Sequence, residues 1–274
     1  MNIDLSINPE LVIDILTRFI RAEITRTGLQ HAVLGLSGGI DSAVVAYLAV
    51  RALGAENVLT VRMPYKTSSQ DSLDHAQLVI DDLKMPALTI PITDMADGLI
   101  TREPEMSSMR KGNIMARCRM IVLYDQSEAF KGLVVGTGNK TELMLGYTTL
   151  FGDSASAINP LGDLYKTQVW DLSAYLGIPD ELVSKQPSAD LWVGQTDEEE
   201  LGLSYRMADE VLYYLVDERR GPDELSAMGY EISVVEHIQS LIIRNQFKRL
   251  PPVIAKVGSR SVNADFRYPR DWKM

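Results

Sequence analysis

Cysteine is almost missing from this chain. One residue, Cys118, in 274 leaves no intrachain disulfide framework and fits a reducing compartment. No apolar run approaches the roughly 20 residues that a bilayer-spanning helix needs. The start, Met1-Asn2-Ile3-Asp4-Leu5-Ser6, has neither the basic stretch nor the apolar core of a secretory signal. These absences lead us to expect a cytoplasmic protein with no membrane partner. Cations are also scarce: 27 Lys and Arg against 37 Asp and Glu leave a formal net charge of −10. That balance argues against a nucleic-acid partner, because binding to a phosphate backbone runs on clustered Lys and Arg. The three histidines, His31, His75 and His237, show no metal-ligand spacing. Internal repeats, low-complexity segments and domain linkers are absent too. What is present is 46% hydrophobic residues, enough for a substantial core. The chain reads as a single domain, 1–274, with a helical C-terminal part at about 200–250.

The most informative stretch runs from Ala32 to Ala46. Val33, Leu34 and Leu36 end a buried strand, and the apolar spacing from Ala43 to Leu53 predicts a helix stopped by Gly54. Between them Gly38 and Gly39 strip β-carbons from the turn, so backbone N–H groups and the helix N-terminus can close on an anion, most simply a phosphate. The common nucleotide loop G-x-x-x-x-G-K-[ST] is excluded, since no Lys follows the glycines and Asp41 stands there instead. A carboxylate beside a phosphate repels it unless a divalent cation bridges the two, so the loop implies a Mg²⁺-nucleotide. The plainer alternative is a strand-turn-helix junction capped by Ser37 or Asp41. The run Leu34-Gly35-Leu36-Ser37-Gly38-Gly39-Ile40-Asp41-Ser42 resembles the pyrophosphatase loop of the adenine-nucleotide α-hydrolase superfamily, whose members split ATP between its α and β phosphates.

Elsewhere the pattern alternates strands and helices. A first helix opens at Asn8-Pro9 and carries Leu11, Ile15, Phe19 and Ile20 on one face up to Gly28. Strands are predicted at 57–63, 87–92 and 133–137, with helices at 71–83 and 110–130 between them. Crossovers of this length imply a doubly wound parallel sheet with helices on both faces, an α/β fold that binds ligands beyond the carboxyl ends of its strands. Residues 37–42, 62–66 and 137–142 all fall at that edge. An irregular stretch at 147–164 reads as a working loop. Helices follow at 166–176, 205–218 and 232–249, and the polar stretch 184–196 reads as a candidate lid. Glu198 to Glu200 are expected to open a helix as solvated carboxylates matched to its dipole.

Glu142 lies about one turn past the fourth strand, where its carboxylate could face Asp41 and share a cation; alone, it could equally be a solvated first-turn carboxylate. At this point the resemblance becomes specific. The motifs Ser37 to Ser42, Arg62-Met63-Pro64, Asn113 to Met120, Gly136-Thr137, Thr141-Glu142, Gly146 to Thr149, Phe151-Gly152-Asp153, Leu164 to Gln168, Pro187 to Leu191 and Asp197 to Gly202 occur in the order and spacing of the synthetase domain of NAD synthetases. The likeness spans about residues 10 to 250.

That resemblance implies that ATP adenylates the nicotinate carboxylate of deamido-NAD, pyrophosphate leaves, and ammonia attacks the acyl-adenylate to give NAD and AMP. Carried over residue by residue, Gly35, Leu36, Ser37, Gly38, Gly39, Ile40, Asp41 and Ser42 would hold the ATP phosphates. Arg62, Thr137, Lys166 and Ser188 would complete the ATP site. Asp41 and Glu142 would ligate Mg²⁺ and, with Lys166, form the catalytic set. Asn113, Arg117, Asp153, Phe247 and Lys248 would meet deamido-NAD, and a homodimer is implied, with helix 110–130 at its interface. Two positions depart from the pattern: Ser154-Ala155-Ser156-Ala157 stands where many relatives have Gly-Gly-Ala-Asp, and Phe247-Lys248 where some have His-Lys. Cys118 sits among Ile114, Ile121 and Val122, so core packing is favoured over a glutaminase nucleophile. Rival readings are another ATP-dependent amide or thiolation synthetase on the same loop, or a nucleotide-binding sensor without catalysis.

Overall fold

The computed structural model describes residues 3–188, 190–192 and 195–262. In chain order the elements are α1 (Pro9–Arg26), β1 (His31–Gly35), α2 (Ile40–Leu53), β2 (Val58–Arg62), α3 (Gln70–Leu83), β3 (Ala87–Thr89), α4 (Thr93–Ile100), α5 (Ser108–Phe130) and β4 (Gly132–Val134). They continue with α6 (Lys140–Leu145), α7 (Lys166–Leu176), α8 (Asp180–Val183), α9 (Asp197–Leu201), α10 (Tyr205–Leu212), α11 (Pro222–Ala227) and α12 (Ile232–Arg244).

The four strands form a parallel sheet in the order β3-β2-β1-β4, in register at Val33 with Leu59 and Val33 with Val134. Side chains of a strand alternate between faces. Accordingly Ala32 and Leu34 of β1 join a core with α1, α2, α3 and α7, while Val33 joins a second core on the other face with Val122, Cys118 and Met115 of α5. The sheet is therefore covered on both sides, as the alternating pattern predicts. Ile20 and Ile24 of α1 are fully buried, each contributing roughly 1.5–3 kcal/mol of transfer free energy. A third core, around Tyr205, Leu212, Leu225 and Ile238, packs α10, α11 and α12 together and meets the first through Trp170. No helix among the described residues is long and apolar enough to cross a membrane.

Several boundaries differ from the sequence reading. β3 ends at Thr89 rather than at 92, although Ile90 N and Ile92 N still donate to the Arg62 and Pro64 carbonyls at 2.9 Å each. β4 ends at Val134, after which Val135 bridges to Ile158 and Gly136 N donates to the Ile158 carbonyl at 2.8 Å. α4 lies between the predicted strand 87–92 and helix 110–130, where the sequence reading assigned no element. Helix 205–218 becomes π-helical over Tyr213–Asp217. Helix 232–249 is interrupted at Asn245, whose side chain bonds the Leu145 carbonyl at 2.8 Å and sits where a β-carbon on Gly146 would lie, 2.2 Å from Asn245 Cβ. Long-range contact overrides local propensity there.

Candidate active site

The glycine turn brings the first turn of α2 to the carboxyl edge of the sheet. Gly38 has φ +78°, and a β-carbon on it would stand 2.1 Å from the Ser72 carbonyl oxygen of α3, so only glycine fits. Helix α2 starts at Ile40, three residues before the apolar spacing suggests, and this places Asp41 in its first turn. The turn is closed by hydroxyls: Gly39 N donates to Ser37 Oγ at 3.2 Å, and Ser42 Oγ donates to the Gly39 carbonyl at 2.9 Å.

Two other helix starts converge on Asp41. At the head of α6, Asn139 and Glu142 form a capping box in which Glu142 N donates to Asn139 Oδ1 at 2.9 Å and Asn139 N donates to Glu142 Oε2 at 3.2 Å. The remaining Asn139 amide hydrogens reach Asp41 Oδ1 at 2.9 Å. At the head of α7, the Lys166 ammonium is ion-paired with Asp41 and lies 3.5 Å from Glu142 Oε1. Its side chain is 3% exposed and sits 5.1 Å from the centroid of the Tyr205 ring. Burial alone would lower the Lys166 ammonium; the charges of Asp41 and Glu142 outweigh it and hold the group above the ordinary lysine value. The Glu142 carboxyl is pushed well above the usual carboxylate range, first by burial and then by Asp41, with Lys166 opposing.

Beneath this trio lies Asp209, fully buried. Its Oδ1 accepts from Thr141 Oγ1 at 2.5 Å and its Oδ2 accepts from Thr167 N at 2.8 Å, while Thr141 Oγ1 also accepts from Lys166 N at 3.0 Å. One carboxylate thus ties the start of α6, which carries Glu142, to the start of α7, which carries Lys166.

Above the trio opens a cavity of about 890 Å³. It gathers Gly35, Leu36, Ser37, Gly39, Ile40, Asp41, Ser42, Arg62, Asn113, Thr137, Glu142, Asp153, Lys166, Ser188 and Lys248 from among the expected residues. Arg62 donates to Gln77 Oε1 at 2.7 Å and leaves its buried Nε without a partner. Asp153 Oδ1 accepts from Thr149 N at 2.7 Å. The Ser188 hydroxyl donates to the Gln195 carbonyl at 2.7 Å, inside its own loop. Lys248 donates to the carbonyls of Gly146 and Thr148 at 2.7 and 2.8 Å.

Three expected residues do not line it. Gly38 is buried behind the loop against α3. Phe247 is 57% exposed, away from the cavity. Arg117 donates to the Leu150 carbonyl at 3.2 Å on the outer side of α5. The cavity face of α5 is the stripe Asn113, Ala116, Met120 and Leu123, and at 100° per residue Arg117 and Arg119 fall on opposite flanks of it. Arg119 is the one turned in, donating to the Met63 carbonyl at 3.1 Å. At the departure from the family pattern, Ala157 contributes a backbone N–H to the Val134 carbonyl at 2.9 Å. Cys118 is buried in the core under β1 and β2, and burial raises its thiol above the usual range. α9 begins at Asp197 as the run of glutamates suggests; Glu198 Oε1 accepts from Tyr205 N at 2.8 Å, and Glu200 accepts from the Tyr147 hydroxyl. Residues 189, 193 and 194 of the candidate lid lie outside the described residues. Among those described, no group of three or more His, Cys, Asp or Glu is arranged to hold a metal ion.

Sequence reasoning missed Asn139, Arg119, Asp209 and Lys185. The N-x-x-E spacing of Asn139 and Glu142 announces a capping box, whereas the stripe on α5 leaves Arg117 and Arg119 equivalent and only the contact with Met63 selects Arg119. Asp209 gives no local signal, since its partners lie 68 and 42 residues away.

Residues 12–252 match the family model described as NAD synthase. Among curated relatives, the "NH(3)-dependent NAD(+) synthetase" of Chlorobaculum parvum is 54% identical over 270 residues, covering 98% of each chain. Among solved structures, the NH3-dependent NAD synthetase from Campylobacter jejuni, in complex with the nitrate ion, superposes with a TM-score of 0.79 at 33% identity, over 92% of this chain and 100% of that one. The NMN synthetase from Francisella tularensis superposes with a TM-score of 0.80 at 32% identity, over 91% of this chain and 99% of that one. On the family match over residues 12–252 and the identity to curated relatives over nearly the whole chain, the chain belongs to the NAD synthase family.

Proposed function

We propose that the chain is a ligase that amidates deamido-NAD to NAD with ammonia at the expense of ATP, through an acyl-adenylate, releasing AMP and pyrophosphate. The observation that carries this reading is the meeting of Asp41, Glu142 and Lys166 beside the Ser37–Ser42 turn, at the carboxyl edge of a parallel sheet and on the floor of one large cavity.

The reaction needs no protein nucleophile. The substrate carboxylate attacks the α-phosphorus, the bond to the bridging oxygen breaks, and its electron pair leaves on pyrophosphate. Ammonia then adds to the acyl carbon, AMP departs with the other pair, and the surplus proton goes to solvent. The chain contributes placement and charge neutralisation. The turn offers its backbone N–H groups to the phosphates. The orphaned Nε of Arg62 offers a donor at the adenine end, and Thr137 and Ser188, which line the same cavity, would contact ATP. Asn113, Asp153 and Lys248 line the part of the cavity assigned to deamido-NAD.

Mg²⁺ belongs in this reading. Two carboxylates share one ammonium, and the second of them is held above its ordinary range, which is the donor set of a site with spare negative charge. Bound there by Asp41 and Glu142, the ion would neutralise phosphate charge.

We also infer a cytoplasmic homodimer of single-domain chains. Met109, Ile121 and Tyr124 of α5 are 73, 53 and 42% exposed, and Phe151 close by is 57% exposed, more apolar surface than a helix turned to water needs. Arg117 and Phe247, absent from the cavity wall, then stand where a second copy could bring substrate to them. Light scattering at micromolar concentration returning 30.5 kDa with full activity would remove the dimer.

The direct test is formation of NAD and AMP from ATP, deamido-NAD and ammonium, with nicotinate mononucleotide as a competing acceptor and glutamine replacing ammonium. Activity with deamido-NAD and ammonium is expected. Preference for the mononucleotide would move the chain to the activity named for the Francisella protein. The neutral amine is the nucleophile, so at fixed total ammonium the rate should climb with pH.

A further inference from the structure

Of the two lysines at the phosphate turn, Lys166 is committed to carboxylates. Lys185 is not. It stands two residues past the end of α8, on the wall across the turn. Its Nζ donates to Ser72 Oγ at 3.0 Å and to the Gly38 carbonyl at 3.5 Å. That is the seam where the turn packs on the start of α3, so tightly that Gly38 admits no β-carbon. Lys185 is half-buried and lines the cavity, and it forms no ion pair among the described residues.

We propose that Lys185 is a catalytic residue that binds the β,γ-phosphate end of ATP and the pyrophosphate leaving from it. This rests on the reading that ATP is split between its α and β phosphates. When that bond breaks, the electron pair stays on the bridging oxygen and charge accumulates on the departing pyrophosphate. The trio on the floor carries two carboxylates to one ammonium, so its own side chains have no net positive charge to offer beyond what a bound cation would bring. Lys185 can turn to an anion by giving up hydrogen bonds to one hydroxyl and one carbonyl, neutral partners that hold an ammonium less strongly than a phosphate does. Burial lowers its ammonium below the ordinary lysine value, with Asp190 and Asp71 opposing, as expected of a cation waiting for a counter-charge. Its position beside Gly38 sets it against the same turn whose N–H groups cradle phosphate.

The experiment is calorimetric titration of the full chain with inorganic pyrophosphate and, separately, with AMP, for the wild type, Lys185→Met and Lys185→Arg, alongside steady-state kinetics. Lys185→Met is expected to lose 10- to 100-fold in pyrophosphate affinity and at least as much in kcat/KM for ATP, with AMP affinity and KM for deamido-NAD within twofold of wild type. Lys185→Arg should recover most of both losses. Unchanged pyrophosphate affinity and kcat in Lys185→Met would overturn the assignment, and so would an equal loss for AMP and pyrophosphate in a folded variant. Should the methionine variant fail to fold, Lys185→Gln carries the same comparison. A wild type that makes no NAD, yet loses pyrophosphate binding on this substitution, would sink the proposed reaction and leave the lysine's role standing.

Discussion

The two ends of the cavity hold their charges differently. At the floor, one ammonium, Lys166, is shared by two acids, Asp41 and Glu142, and Asn139 and Asp209 fix the starts of α6 and α7 beside them. At the far end, Arg119 and Lys248 are anchored on backbone carbonyls, of Met63 for one and of Gly146 and Thr148 for the other. A cation bound to carbonyls keeps its charge for a ligand, whereas one inside a carboxylate pair has little left to give. The floor is therefore built as a fixed electrostatic device, and the far wall as a docking surface for an anionic substrate. The contrast can be broken at either end.

The largest effect should come from Lys166→Met. It leaves two largely buried carboxylates without their counter-ion beside the phosphates, where their charge repels ATP, so kcat/KM for ATP should fall by roughly 10²–10³, with deamido-NAD binding much less affected. Kinetics with each substrate varied in turn would check it, and an unchanged kcat/KM for ATP would remove Lys166 from the catalytic set. Next comes Asp209→Asn, which keeps the shape but replaces one accepting oxygen by an NH2 donor, set against groups that themselves donate, the Thr167 amide and the Thr141 hydroxyl. Leaving one such buried group unsatisfied costs about 1–3 kcal/mol. The variant should melt earlier and lose kcat about tenfold, with KM for deamido-NAD unmoved, and Asp209→Glu should not rescue it because the longer side chain cannot bridge the same two helix starts. Melting without any change in kcat would reduce Asp209 to a stability role.

Lys248→Met tests the far wall. KM for deamido-NAD should rise about tenfold, roughly 1.4 kcal/mol, while KM for ATP stays within twofold; the reverse pattern would exchange the two ends of the site. Smallest of all is Cys118→Ser. The thiol packs under the sheet, so the rate with ammonium should be unchanged, with only a modest loss of thermal stability. NAD formation from glutamine that vanished in this variant would contradict the ammonia reading.

Legibility followed the range of the interactions. Strands and their faces could be read because alternation and helical spacing are local, and in the 31–53 unit the helix end at Leu53 was legible while its start lay three residues earlier than the apolar spacing suggests. α4 was hidden because Thr93–Ile100 has too few turns to set a period against its neighbours. Asn245 broke a helix that local propensity would continue, because it packs on Gly146, a residue 99 positions earlier in the chain. In the site, Asp41, Glu142 and Lys166 were named as a set, but their ion pairing spans up to 125 residues, and nothing local predicts which carboxylate the lysine meets.

What the sequence by itself determined is the chemistry on offer: a turn that only glycines can make, an acid where other loops carry a lysine, and strand-helix alternation that must bury a parallel sheet. Backbone sterics and side-chain period act over a few residues, so they are written in the chain. The tertiary structure alone decided which charges cancel and which stay free. It paired Lys166 with two acids and left Lys185 on neutral partners. It turned Arg119 inward and Arg117 outward, and set Asp209 beneath two helix starts. Electrostatic energy depends on distance and burial, and both exist only once the sheet has brought distant segments to one edge.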